Sequence, residues 1–470
     1  MPLATAGLLI GMLLSVLDQT VVAIALPDIA ADLGGMDAIG WIVTSYVLAS
    51  TATGALYGRI SDRFGRRPVF LVAVAVFVAG SALCGLAQTM PQLIATRTVQ
   101  GIGAGALFVL PTITLSELYP ARLRGRVQGF TGGVFALASV GGPLVGGAIT
   151  DAWGWRWIFY VNLPLGLLAM ALVALALRLP RADAVDEGGR ASGGGRAGGV
   201  DLAGAVLIAG AIVSLLLVAE WGGREYPWDS GVILALVGAV IVLGALFGWR
   251  ERRAAVPLLP LRLFADRTLR VVLPATALLG ALLGGSIVYL PTYLQATYGM
   301  GATQAGLALN PYVLTFMAVS SLAGARIRRF RPYLVAGAVI AAGGFVLLSL
   351  LRPDTPYVLL AVEIGVLGVG FGLLMQNLVV VAQNAVGAAD LAATTSAVVS
   401  VRGLGLSLGV ALFGILLTRE LQGRTPGPQA TAAAIPGVLF WGAPTALALA
   451  ALLALLPRGN EPVRTEMSSR

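Results

Sequence analysis

Residues 39–86 read IGWIVTSYVLASTATGALYGRISDRFGRRPVFLVAVAVFVAGSALCGL. Two apolar runs flank a short charged loop, GRISDRFGRRP (58–68). A hydrocarbon core of ~30 Å is crossed by about 20 helical residues. Each flank is of that length, whereas Arg59, Asp62, Arg63, Arg66 and Arg67 must stay in water. The segment reads as a helical hairpin that crosses a membrane and returns.

The same alternation continues in both directions. Spans are expected near 5–27, 39–58, 69–88, 91–115, 127–150, 156–178, 202–219, 231–249, 271–294, 303–325, 333–351, 357–382, 394–418 and 436–457, fourteen in all. Composition agrees: of 470 residues, 57% are hydrophobic and 11% charged, at a mean hydropathy of +0.88. A soluble domain carries about 25% charged residues, and no soluble core of this size hides so much apolar surface. The 62 glycines fit helices that approach closely in lipid. The expected class is all-α integral membrane.

The net charge of +9 would point to nucleic acid in a soluble protein. Here every basic residue is Arg, and nearly all lie in short loops, so membrane topology accounts for them and no nucleic-acid partner is expected. With the N-terminus inside, the arginines gather on the inner face, leaving Arg156, Arg224, Arg352, Arg419 and Arg424 outside and Arg97 and Arg402 within spans. Both termini are therefore expected in the cytoplasm. The absence of Lys excludes a Walker A phosphate loop, hence ATP use of that kind. Cys84 is the one cysteine and there is no His, so neither a disulfide framework nor a cysteine-based metal site is expected. The start of the chain lacks a basic n-region and reads as a first helix, not a cleaved signal.

An internal repeat is visible. Gly40, Tyr46 and Gly58 recur as Gly306, Tyr312 and Gly324; Gly101, Gly103 and Gly105 as Gly368, Gly370 and Gly372; Ser139, Gly141 and Gly146 as Ser407, Gly409 and Gly414. The order and slow drift of the offset divide the chain into a six-helix bundle (1–179), a Gly-rich cytoplasmic linker (180–201), two inserted helices with a following loop (202–270), and a second six-helix bundle (271–470).

Gly58 permits a tight end to the second span, and Asp62 is an anion among cations, free to pair with them. Positive-inside bias alone would not require the order Gly-x3-Asp-Arg-x-Gly-Arg-Arg. The loop resembles the signature loop of the major facilitator superfamily. RTVQGIGAGAL (97–107) resembles that family's fourth-helix motif, and GGPLVGGAI (141–149) the fifth-helix motif of its antiporters. LDQTVVAIALPDI (17–29) resembles the first helix of its fourteen-helix drug:proton antiporters. The resemblance covers the whole chain. It implies alternating access between two bundles and export of drug-like compounds driven by the proton gradient, with no cofactor. Arg328 stands where the counterpart of Asp62 would be, so the two halves are not equivalent gates.

An acid in mid-span, Asp18, is costly unless paired or protonated and is a functional candidate by default. Changing surroundings move its proton affinity, so it suits proton loading and release. Arg97 shares a helical face with Gly101 and Gly105 and is expected to pair with Asp18, as such charges do in similar antiporters; the plain alternative is a static structural pair. Glu363, in the twelfth span, is a second candidate for proton coupling. Gating falls to Gly58, Asp62, Arg63, Gly65, Arg66, Arg67 and Glu117, with Glu117 placed to bind the loop arginines. Gly142, Pro143 and Gly146, with Gly129 and Gly133 upstream, are expected to seal the two halves. Residues Gln19, Tyr46, Phe108, Phe135, Tyr289, Tyr293, Asn310, Phe316, Gln376 and Asn377 are candidates for lining an apolar cavity. Trp153, Trp155 and Trp157 read as an interfacial belt.

These readings lead to a monomeric, proton-coupled exporter of hydrophobic or amphipathic, even cationic, small molecules in a bacterial inner membrane. An exporter of lipid, amino acid or self-made antibiotic on the same fold remains open. A channel or intramembrane enzyme is less favoured, since no selectivity filter or nucleophile–base cluster is visible.

Overall fold

A computed structural model describes residues 2–34, 38–119, 121–177, 201–223, 225–254, 261–326, 329–352, 354–387, 390–423 and 427–457. The linker 180–200, Arg328 and the C-terminal arginines lie outside the described residues. In lipid every backbone polar group must be satisfied internally, so uninterrupted apolar runs become helices. These are α1 (Pro2–Leu33), α2 (Ile39–Phe64), α3 (Arg66–Leu86), α4 (Met90–Leu118), α5 (Ala121–Trp153) and α6 (Trp157–Ala176). The inserted pair is α7 (Leu202–Trp221) and α8 (Gly231–Arg253). The remainder are α9 (Arg267–Tyr298), α10 (Ala302–Ala308 and Asn310–Arg326), α11 (Phe330–Ser349), α12 (Tyr357–Asn384), α13 (Leu391–Leu421) and α14 (Pro428–Leu453). Among the described residues twelve helices are long and apolar enough to cross a membrane; α5 and the broken α10 are not in that set.

Starts are marked by side chains that accept from otherwise orphaned amides. Thr89 caps α4, Asp201 caps α7, Ser230 caps α8 and Asp266 caps α9. Several helices differ from expectation. Alpha-1 runs on to Leu33, and α14 begins at Pro428, not 436, with a turn at Trp441. A turn at Val161 interrupts α6, and Leu309 breaks α10. Hydropathy finds the apolar stretch but is blind to such local breaks.

The packing repeats. Alpha-1 lies against α4, α5 and α6, α4 against α2 and α3, and α3 against α6. In the second half α12 packs on α10 and α11, α9 on α13 and α14, and α11 on α14. Contacts that join these groups include α2 with α13 and α5 with α10, and a two-fold exchange of the repeats interchanges these two. On the side of the 58–68 loop the α2–α13 seam is tight: a Cβ at Gly58 would run into Ser396 Oγ and the Ala392 carbonyl. Beside it Val109 and Ile113 of α4 bury Ala392 and Val399 of α13. Alpha-7 leans on this seam, with Ile212 and Leu216 packed against Leu48, Ala52 and Leu404.

Candidate functional site

Alpha-4 enters the first bundle with its glycines turned to α2 and α3, which brings polar side chains within reach of α1. Arg97 is fully buried and Asp18 is 2% exposed. Arg97 Nη1 lies 2.5 Å from Asp18 Oδ2. The same Nη1 donates to Gln100 Oε1 at 2.7 Å, and Nε donates to the Ile42 carbonyl at 3.2 Å. The other carboxylate oxygen, Asp18 Oδ1, accepts from Gln100 Nε2 and from Asn162 Nδ2, both at 2.8 Å. Both amides also donate to Ser81 Oγ, whose own proton goes to the Phe159 carbonyl. The guanidinium stacks on Tyr46, 4.1 Å from its centroid. Two charges removed from water remain stable only when geometry and hydrogen bonds are nearly complete. Here they are, apart from Asn162 Oδ1, which has no partner.

Tyr46, expected in the cavity, is instead the floor beneath Arg97, with its hydroxyl donating to the Ser15 carbonyl at 3.1 Å. Gln100, Asn162 and Ser81 were not singled out by sequence. A signal existed: Gln100 lies one helical turn beyond Arg97, and Asn162 is a lone amide opening an apolar span.

At the 58–68 loop, Arg66 is the hub. Its Nη2 meets Asp62 at 2.6 Å and Glu117 at 2.7 Å, its Nε donates to Glu117 Oε2 at 3.1 Å, and its Nη1 donates to Ser61 Oγ and to the Gly58 carbonyl. Arg59 lies 3.6 Å from Asp62. Gly65 takes φ +88°, a conformation that favours glycine, and so turns the chain between α2 and α3. Arg67 donates to the Ala174 carbonyl, tying the loop to α6, and Arg63 lies over Phe64.

Alpha-5 meets the other half with only part of the expected glycine set. Gly142 and Gly146 face Thr20 and Val21 of α1, within the first bundle. The face that meets α10 and α12 carries Gly129, Gly132 and Gly133, against Ser320, Ser321, Met317 and Gln376. Register explains the difference: the two glycine sets occupy different faces and ends of one long helix. The side chains of Ser139 and Pro143 lie outside the described residues.

Several cavity candidates are packed. Tyr289 stacks on Phe413 and donates to the Val410 carbonyl, and Tyr293 donates to the Arg352 carbonyl. Phe316 stacks on Tyr312, and Asn377 donates to the Leu373 carbonyl. These aromatic and amide groups satisfy helix packing, a competing use that residue type cannot distinguish. Gln376 is buried with Nε2 unpartnered, Asn310 is half-buried at the break in α10, and Phe135 is half-buried against the second half's core. Gln19 is exposed beside buried Asp18. Phe108 faces Arg402 of α13, 5.1 Å from the ring centroid. Glu363 is 7% exposed and its Oε2 has no partner.

Trp153 and Trp157 are exposed, as a belt requires, but Trp155 is buried and donates to Asp32. Hydrogen bonds from Arg156 and Trp155 hold the Asp32 carboxyl below its ordinary range.

The comparisons agree with this architecture. Multidrug resistance protein 3 of Bacillus subtilis is 36% identical over 422 residues, 88% of this chain and 78% of the relative. Efflux pump dotC of Dothistroma septosporum is 32% identical over 427 residues, 90% and 72% respectively. An MFS-type transporter of Mycobacterium tuberculosis is 38% identical over 437 residues, 92% of this chain but 61% of the relative, so the chain spans about three-fifths of that protein's length. In fold, it is similar to the human organic anion transporter MFSD10 (TM-score 0.66, 16% identity, covering 96% of this chain and 99% of that one). The proton:xylose symporter XylE is also similar (TM-score 0.63, 16% identity, covering 97% and 98%). With a sequence profile of the Major Facilitator Superfamily matching residues 8–202 and 182–410, this multi-pass membrane chain belongs to that family of transporters.

Proposed function

We propose that this transporter exports drug-like hydrophobic or amphipathic molecules in exchange for protons, by alternating access. The observation that carries the reading is the dry ion pair of Asp18 and Arg97, closed off among α1, α2, α4 and α6. The names of two relatives, a multidrug resistance protein at 36% identity and an efflux pump at 32%, support the direction of transport.

Protonation of Asp18 removes its negative charge, so Arg97 loses its counter-ion and keeps Gln100 and the Ile42 carbonyl. Alpha-1 and α4 are then no longer held by charge, and the balance between the two orientations of the bundles shifts. The seam at Gly58, Val109 and Ile113 closes the path on the loop side. The Arg66–Asp62–Glu117 cluster locks it. Glu363 is a second protonation site in the other half. The protein acts as a monomer in a bacterial inner membrane, with both termini cytoplasmic, and uses neither ATP nor a cofactor.

The test is a panel of apolar fluorescent compounds in sealed proteoliposomes with an imposed pH gradient. Wild-type protein is expected to move at least one against its gradient, and Asp18→Asn to abolish proton-driven flux. Intact coupling in Asp18→Asn would sink the mechanism.

A further inference from the structure

Arg402 sits in the middle of α13, about 16 Å along the axis from Leu391. It is 7% exposed, yet among the described residues it makes no salt bridge or side-chain hydrogen bond. Among the described residues its guanidinium meets the Phe108 ring of the opposite bundle, 5.1 Å from the centroid. A cation–π contact offsets only part of the cost of drying a guanidinium. A guanidinium held this dry without a carboxylate gains most from an anionic partner.

Its position says where that anion comes from. The seam between the bundles is sealed by Val109 and Ile113 against Ala392 and Val399. Phe108 adjoins that seal on α4, and Arg402 lies one helical turn beyond it on α13. On α4 the following turns outward include Ile102 and Val99, both exposed. Arg402 therefore stands at the floor of the path between the two halves, above the closed end. The fold does not require a cation there: the repeat offset of 268 in this region places apolar Val134 at the corresponding site on α5.

We infer that Arg402 binds an anionic oxygen group, a carboxylate or sulfonate, of the transported molecule, whose apolar body lies beside Phe108. The inference rests on the exporter reading for its path but names a substrate class which that reading left open. Of the two embedded acids that would favour cations, Asp18 is consumed by Arg97, and Glu363 lies within electrostatic range of Tyr293 and Tyr298 near the far end of α9. The free charge at the floor is positive.

The test compares two probes with the same fluorophore, dansylglycine (anionic) and dansylcadaverine (cationic), binding to the full chain in lipid nanodiscs. Wild-type protein is expected to prefer dansylglycine. Arg402→Gln and Arg402→Met should weaken dansylglycine by about ten-fold or more, as loss of a charge-assisted pair does. Arg402→Lys should retain most of the affinity, and dansylcadaverine should not weaken in any variant. Neither neutral variant should melt below wild type, because the charge removed had no partner. Failure of dansylglycine to bind wild type, equal affinity in the neutral variants, or preference for dansylcadaverine would overturn the proposal. Arg402-dependent binding without pH-driven flux would keep the anion site and sink the exporter reading; flux without Arg402-dependent binding would do the reverse.

Discussion

Arg97 on α4 and Glu363 on α12 lie at comparable depths in the two halves, 266 residues apart and one position off the 267-residue offset of the glycines beside them. Both are charged and both are buried. Arg97 is met by a carboxylate, two side-chain amides, a backbone carbonyl and an aromatic face. Glu363 has an orphaned oxygen and no cation within salt-bridge distance among the described residues. The helix packing was copied between halves, but the chemistry inside it was not. A repeat preserves which helices touch, because glycines and apolar faces set that. It does not preserve what the few polar groups do, because each depends on partners from several helices.

The comparison can be broken first at its strongest point. Arg97→Gln strands Asp18 without its cation and should destabilise the protein by about 3–5 kcal/mol, the usual cost of leaving a buried charge uncompensated. The double variant Asp18→Asn with Arg97→Gln should recover most of that in thermal melts. Equal melting of single and double variants would show that the pair is not coupled. Next, Asn162→Leu removes one donor from Asp18 and one from Ser81 and should cost about 1–3 kcal/mol.

Glu363→Gln should act in the opposite sense. With no cation to lose, stability at neutral pH should stay within about 1 kcal/mol or rise. A loss as large as that of Arg97→Gln would reveal a hidden partner and erase the contrast. The smallest effect belongs to a reference pair outside the bundles, Asp201 with Arg250, where α7 and α8 are tied by a 3.0 Å bridge. Burial pushes the Asp201 carboxyl up, but hydrogen bonds from Arg250 and the Gly204 amide outweigh it and hold the group below its ordinary value. Its contribution is present at neutral pH and lost as acid protonates it, below about pH 4. Asp201→Asn keeps the helix cap and should cost below about 1 kcal/mol, measured as a small drop in melting temperature that vanishes in acid.

Much was legible in the residues. The apolar runs, the arginine-rich loops and the 58–68 pattern led to a fourteen-helix transporter, and the family and fold follow that reading. Asp18 and Arg97 stood out because charges in apolar runs are costly wherever they point. The cavity candidates did not separate in the same way. Tyr46, Tyr289 and Tyr293 are aromatic residues in spans, and only contacts tell a packed ring from an exposed one. Gly142 and Gly146 looked like a seal between halves, but the face they occupy is decided by how α5 is rotated against α1.

Sequence alone determined that this chain lives in lipid, how many times it can cross and which charges lie in apolar spans, because hydropathy and charge are properties of residues in order. Tertiary structure decided that Gln100 and Asn162 complete the pair at Asp18, that Arg66 is the hub of its loop, and that Arg402 is left without an anion. Satisfaction of a buried polar group is a matter of distance and angle between helices far apart in the chain, and no spacing along one helix encodes it.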